Sequence, residues 1–200
     1  MSSLGPHFES AILACTGASS LEVESVIQAL WSGYGEILRV RLEGADADSV
    51  VVKHVRATAA GNHPRGWNSS ISHERKVRSY EVETAWYRDW SRRCDARCRI
   101  PRFLAFERHE GEVLLVLEDL DAAGFPRRMT SVDWTQVKIC LEWLANFHAT
   151  FLGDEPHDLW PIGTYWHLDT RPEELKALDD ENLKQAAAAI DARLNAARYQ

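Results

Sequence analysis

Nothing in this chain is apolar for long enough to cross a bilayer. Runs such as Val113–Leu117 fall far short of the roughly 20 residues a membrane helix needs. The opening MSSLGPHFES also lacks the basic stretch followed by an apolar block that marks a secretory signal. A cytoplasmic protein with no membrane partner is the expectation. Positive charge is in short supply too: 23 Lys and Arg stand against 30 Asp and Glu, a formal charge of −7, which argues against nucleic acid as a partner. Of the four cysteines, Cys15, Cys94, Cys98 and Cys140, only Cys94 and Cys98 are close, and no second Cys or His pair stands at metal-ligand spacing. No zinc site is expected. The eight histidines are scattered singly, as surface or satisfied core residues are. Repeats and low-complexity tracts are absent. What is present is a globular composition, 45% hydrophobic and 26% charged, sufficient for one large domain or two small lobes.

The most informative stretch is Ser49-Val50-Val51-Val52-Lys53-His54-Val55, a β-branched run bounded by polar residues that predicts a buried strand. Alternation places Val51, Lys53 and Val55 on one face and Val50, Val52 and His54 on the other. An ammonium on an apolar face needs either a partner or a route to water, because desolvating a lone cation is costly. Two readings stay open here: an edge strand whose lysine snorkels outward, or an interior strand whose lysine is paired.

Upstream, Phe8, Ala11, Ile12 and Cys15 recur at helical spacing, with Gly17 as a stop. Glu22–Trp31 reads as a strand, Ser32-Gly33-Tyr34-Gly35 as a turn, and Glu36–Glu43 as a strand with Leu38, Val40 and Leu42 inward. Gly44–Asp48 closes a hairpin into the lysine strand. The Gly-x-Gly sits between two strands, not between a strand and a helix as a phosphate loop would, so it is either a plain hairpin or one whose backbone lies over a ligand. Ala57–Ser70 reads as a long loop. His73–Trp90 then predicts a helix of about five turns, with Glu83, Trp86, Tyr87 and Trp90 on one face. Glu83 is the carboxylate that Lys53 lacks, unless it pairs within its own helix with Ser79 or Tyr87.

Ile100–Phe106 and Glu112–Leu117 are two more strands, completing a five-stranded α+β lobe with one helix between the third and fourth. Thereafter the chain turns helical. Thr130 and Asp133 suggest a capping-box start. Trp134, Val137, Leu141, Leu144, His148 and Phe151 predict a buried core stripe ending at Gly153, with His148 structural. The segment 154–167 is an aromatic-rich loop, Thr170 and Pro172 start a short helix, and Asp179 or Asp180 caps a last one. Leu183, Ala187, Ile190, Leu194 and Ala197 are expected to face inward on that final helix. Trp160, Tyr165 and Trp166 could pack or could face a flat or cationic substrate.

Five segments in this order carry a resemblance: Trp31-Ser32-Gly33-Tyr34-Gly35-Glu36, Val51-Val52-Lys53, Glu83-Thr84-Ala85-Trp86-Tyr87, Leu115-Val116-Leu117-Glu118-Asp119-Leu120 and Leu144-Ala145-Asn146-Phe147-His148-Ala149. Together the chain resembles the small-molecule phosphotransferases of protein-kinase-like fold, the aminoglycoside phosphotransferase and choline kinase group, nearest the ecdysteroid-kinase-like branch. The resemblance implies residues 1–120 as a nucleotide-binding N-lobe, and 121–200 as a hinge and the start of a helical C-lobe. It implies that Lys53, oriented by Glu83, holds the α- and β-phosphates of ATP. Val51 would roof the adenine, the backbone of Glu118 and Leu120 would bond its edge, and Ser32, Gly33 and Gly35 would cover the phosphates. The activity implied is transfer of the γ-phosphoryl to an alcohol, with ATP and Mg²⁺ as cofactors and a small-molecule acceptor.

One part of that pattern is missing. The family's His-Gly-Asp loop, the asparagine five residues after its Asp, and a second Asp on a following strand have no counterpart. His167-Leu168-Asp169 is a decoy, with Glu174 at the asparagine position. No catalytic residue and no metal ligand is therefore assigned within these residues; the Mg²⁺ ligands are expected beyond residue 200, and these 200 residues alone are expected to be inactive. The alternative is a non-catalytic nucleotide-binding or interaction module, with self-association through an incomplete C-lobe.

Overall fold

In a computed structural model, the structure describes residues 4–30, 33–56, 70–162, 176 and 179–198. The first helix, α1 (Pro6–Thr16), has proline in its opening turn, where the missing N–H costs nothing. It ends at Gly17, φ 72°, whose N–H donates to the Leu13 carbonyl at 2.9 Å. Five strands follow: β1 (Ser20–Ala29), β2 (Gly35–Glu43), β3 (Ser49–Arg56), β4 (Phe103–His109) and β5 (Glu112–Glu118). They form one antiparallel sheet in the order β1-β2-β3-β5-β4. β3 therefore lies between β2 and β5, and the edge-strand reading of Lys53 is excluded.

Alternation divides the sheet into two faces. Leu38, Val40 and Leu42 of β2, Val50 and Val52 of β3, and Leu114 and Val116 of β5 pack with Leu4, Phe8 and Ile12 at the α1 side. Each such side chain contributes about 1.5–3 kcal/mol on leaving water, which fastens α1 across this face. On the opposite face a smaller cluster joins Val55 to Leu30, Tyr34 and Tyr80, with Ile37 and Val113 half-buried beside it. β1 lies at an edge, and two register shifts, between Val23 and Ser25 and between Val26 and Gln28, interrupt its pairing with β2.

The predicted helix 73–90 divides in two. α2 runs Ser70–Ala85, and Trp86–Trp90 continue as a π-helical turn. The wider turn makes room for bulky side chains and aims Trp86 and Trp90 at α3 (Trp134–Phe151): Trp86 lies 5.4 Å from Phe147 and 5.1 Å from Phe151, ring centre to ring centre. Glu83 turns to the sheet instead, so the four residues expected on one face serve two.

The capping box of α3 is Asp133 with Gln136, each side chain bonding the other's backbone N–H at 2.9 Å; Thr130 has no part in it. The expected buried stripe is also corrected. Trp134 is 67% exposed, and Leu141, Leu144 and His148 are exposed. The packed side is Trp143, Phe147, Thr150 and Phe151, a register set by the tryptophans of the π turn and by the Trp143 indole, which donates to the Arg99 carbonyl at 3.0 Å. Helical spacing named apolar positions, but only the position of the π turn decides which are covered.

The described residues form two compact units that divide between Leu159 and Trp160. In the second, α4 (Asp180–Arg198) opens with Asp180 and Glu181, suited to a helix N-terminus. Leu183 and Ile190 are exposed there, against the expectation that they face inward. The loop 57–69, Tyr165, Trp166, the decoy at 167–169, and Thr170 and Pro172 lie outside the described residues. No described helix is long and apolar enough to cross a membrane.

Candidate functional site

Lys53 leaves the middle of β3 on the face opposite α1, between Ile37 of β2 and Leu115 of β5. Its side chain is 15% exposed, and its ammonium donates to the Glu83 carboxylate from α2. Glu83 thus pairs across to the sheet and not with Ser79 or Tyr87. The sheet buries the lysine stem while α2 delivers the opposite charge, which resolves the cost of a cation on an apolar face.

The surroundings of this pair come from the same side of α2. Lys76, Tyr80, Glu83 and Tyr87 follow at i, i+4, i+7 and i+11. The Lys53 ammonium lies 4.9 Å from the centre of the Tyr80 ring, and the Lys76 ammonium 4.8 Å from the same centre. Burial lowers the Lys76 pKa from its ordinary value, and the Lys53 charge lowers it further, with Glu83 opposing. Burial pushes the Tyr87 phenol up to about 12, and the Glu83 carboxylate adds to the shift. Tyr87 therefore stays neutral beside the ion pair.

The glycine turn lies at one end of this face. Gly35 pairs with Val55 at φ 136°, and a Cβ there would stand 2.0 Å from the His54 carbonyl oxygen, so only glycine fits. Gly33, φ 76°, makes the turn with its N–H bonded to the Leu30 carbonyl at 3.2 Å. Between them Tyr34, 5% exposed, tucks beneath, its ring centre 6.1 Å from that of Tyr80 and its hydroxyl 2.6 Å from His73 Nδ1. The hairpin is thereby tied to α2. Ser32 lies outside the described residues.

At the other end of the face, Val51 stands between Leu117 of β5 and Arg39 of β2, and Leu115 and Leu117 are both buried. The following segment is fixed by its own charges. The Glu118 N–H donates to the Arg102 carbonyl at 2.9 Å, and its carboxylate accepts from Arg99 at 2.6 Å. The Leu120 carbonyl accepts from the Phe125 N–H at 2.8 Å. Asp119, 3% exposed and directly between them, accepts from Arg39 Nε at 2.7 Å, Ser49 Oγ at 2.8 Å and the Asp121 N–H at 3.0 Å. Burial alone would raise its pKa, but these bonds outweigh it and hold the carboxyl below the usual range.

The structure therefore brings Lys53, Glu83, Val51, Gly33 and Gly35 to one face of the sheet and places Glu118 and Leu120 at its far end. Asp119, Lys76, Tyr80 and the Tyr34–His73 contact were not singled out from the sequence. The helical spacing of 76, 80, 83 and 87 was the available signal for two of them. Among the described residues no cluster of three or more His, Cys, Asp or Glu could hold a metal ion.

Comparison with known protein families matches residues 36–152, more than half of the chain, with the ecdysteroid kinase-like family. The chain belongs to the ecdysteroid kinase-like family. The matched span takes in Val51, Lys53, Glu83, Glu118 and Leu120 and stops just short of Gly33 and Gly35. No curated protein matches the chain. Its α+β architecture, a five-stranded antiparallel sheet with flanking helices, is that of a kinase-like N-lobe followed by helices of the second lobe.

Proposed function

We propose that these residues are the nucleotide-binding portion of an ATP-dependent small-molecule kinase, which transfers the γ-phosphoryl to an alcohol. The observation that carries this reading is the Lys53–Glu83 pair, a cation held in place on an apolar face beside a glycine turn. Lys53 would meet the α- and β-phosphates, and Glu83 would hold its ammonium in place toward them. The backbone of Ser32, Gly33 and Gly35 would cover the phosphates, the two glycines offering it without side chains. Val51 would cover the adenine, and the backbone of Glu118 and Leu120 would meet its edge. ATP, when bound, supplies the phosphoryl group; the protein contributes position and charge. Among the described residues no cluster of three or more His, Cys, Asp or Glu could hold Mg²⁺, and no step is assigned to it.

Calorimetric titration of ATP into the 200-residue chain tests the reading. Binding is expected, with a rise in melting temperature, and Lys53→Ala is expected to abolish both. Saturating ATP that leaves the melting temperature of a folded wild-type chain unmoved would overturn it.

A second reading, a protein-interaction module, draws on the exposed Trp134, Ile139, Leu141 and Leu144 of α3. It calls for self-association, which sedimentation velocity across a concentration series would show as a shift from monomer to dimer.

A further inference from the structure

Lys53 is paired, but a second cation on the same face is not. Lys76 is half-buried, and among the described residues no carboxylate pairs with it; Glu83, whose charge opposes the lowering of its pKa, is engaged by Lys53. Both ammoniums lie within 5 Å of the centre of one ring, that of Tyr80. Among the described residues, two lysines thus face one ring with one carboxylate, bound to Lys53, in a partly desolvated place, which leaves an excess positive charge there.

Position along β3 indicates what that charge is for. Val51, Lys53 and Val55 succeed one another on this face, about 7 Å apart. Val51 stands toward Glu118, since Val50 pairs with it, and Val55 stands toward the hairpin, since it pairs with Gly35. Tyr80 packs with Val55 and Tyr34 at the hairpin end. Lys76 is one helical turn beyond Tyr80 and two beyond Glu83, next to His73, whose ring holds the Tyr34 hydroxyl. The order from hinge to hairpin is therefore apolar cover, first lysine, tyrosine, second lysine.

We propose that Lys76 is a second phosphate-binding residue, which takes the outer phosphate of a nucleoside triphosphate while Lys53 takes the inner ones. This rests on the nucleotide reading above and extends it to a residue to which no role has been given. Lys76 acts as a charge that favours triphosphate over monophosphate. Tyr80 spaces the two ammoniums and screens their repulsion with its ring. The lowered pKa of Lys76 agrees, since an anion beside it would relieve what burial and Lys53 impose.

Titrating the 200-residue chain with ATP, AMP and inorganic tripolyphosphate, as wild type, Lys76→Gln and Lys76→Arg, tests this. Lys76→Gln should weaken ATP and tripolyphosphate about tenfold while leaving AMP within about twofold, and Lys76→Arg should retain most of the wild-type affinity. Equal weakening of ATP and AMP would make Lys76 structural and overturn the proposal, as would unchanged ATP binding by Lys76→Gln; in both cases the nucleotide reading survives. If wild type binds tripolyphosphate in a Lys76-dependent way but neither nucleotide, the nucleotide reading falls and the assignment of Lys76 to a nucleoside triphosphate falls with it. If wild type binds none of the three, both fall.

Discussion

Breaking the Lys53–Glu83 pair one partner at a time, and then both together, measures how strongly the sheet and α2 are coupled. Two unit charges about 4 Å apart attract by about 4 kcal/mol at the effective dielectric of a protein periphery. The lysine is 15% exposed and the glutamate 33%, so water screens part of this attraction, and ordering two long side chains opposes it. A coupling energy of about 1–2 kcal/mol remains, between the near-zero value of exposed pairs and the 3–5 kcal/mol seen when a buried pair is broken. The variants are Lys53→Met, Glu83→Gln and the double substitution, each followed by urea unfolding with midpoint and slope fitted separately. Each single variant should lose about 1.5–3 kcal/mol, because a half-buried charge loses its partner, and the double should lose clearly less than the sum. Strict additivity, within about 0.3 kcal/mol, would mean that the two side chains do not interact in solution and would refute the reasoning.

Gly35→Ala should cost about 2–4 kcal/mol, because the new methyl would lie 2.0 Å from the His54 carbonyl oxygen and the strand pair must part to admit it; a fall in melting temperature of about 5–15 °C would register this. Asp119→Asn should lower stability at pH 7 by about 1–3 kcal/mol, as Arg39 loses a buried carboxylate. Its folded pKa lies below the usual value of about 3.9, so the stabilisation is complete above that value and disappears as pH falls through the depressed one. Wild-type and variant unfolding curves should therefore converge at acid pH, and a constant gap across the range would contradict the assignment. Toward iodoacetamide at pH 8, Cys140 should react first, being exposed, whereas Cys98 is fully buried and the Cys94 thiol is pushed by burial up to about 11; peptide mapping of the alkylated chain checks the order.

Much of the first lobe was legible because its signals are local. Alternation in β2 set Leu38, Val40 and Leu42 inward, and all three are buried. Gly17 ends α1 as its left-handed conformation requires. One lysine in a valine strand posed the question that Glu83 answers. The helical face of α3 was harder, because its apolar residues recur at several spacings, and the π turn at Trp86–Trp90 that selects Phe147 and Phe151 leaves no periodic trace in the sequence. Asp119 was invisible for a similar reason. Its partner Arg39 is 80 residues away, brought near only by sheet pairing.

By itself the sequence determined the five strands and the presence of two helices in the first lobe, and that a charge on β3 required a partner or a route to water, because period and burial cost are properties of neighbouring residues. Tertiary structure alone decided that β3 is interior, that α2 turns Lys76, Tyr80 and Glu83 toward it, and that α3 leaves Leu141 and Leu144 exposed. Those outcomes depend on which distant surfaces meet, and the free energy of such a meeting belongs to both surfaces at once.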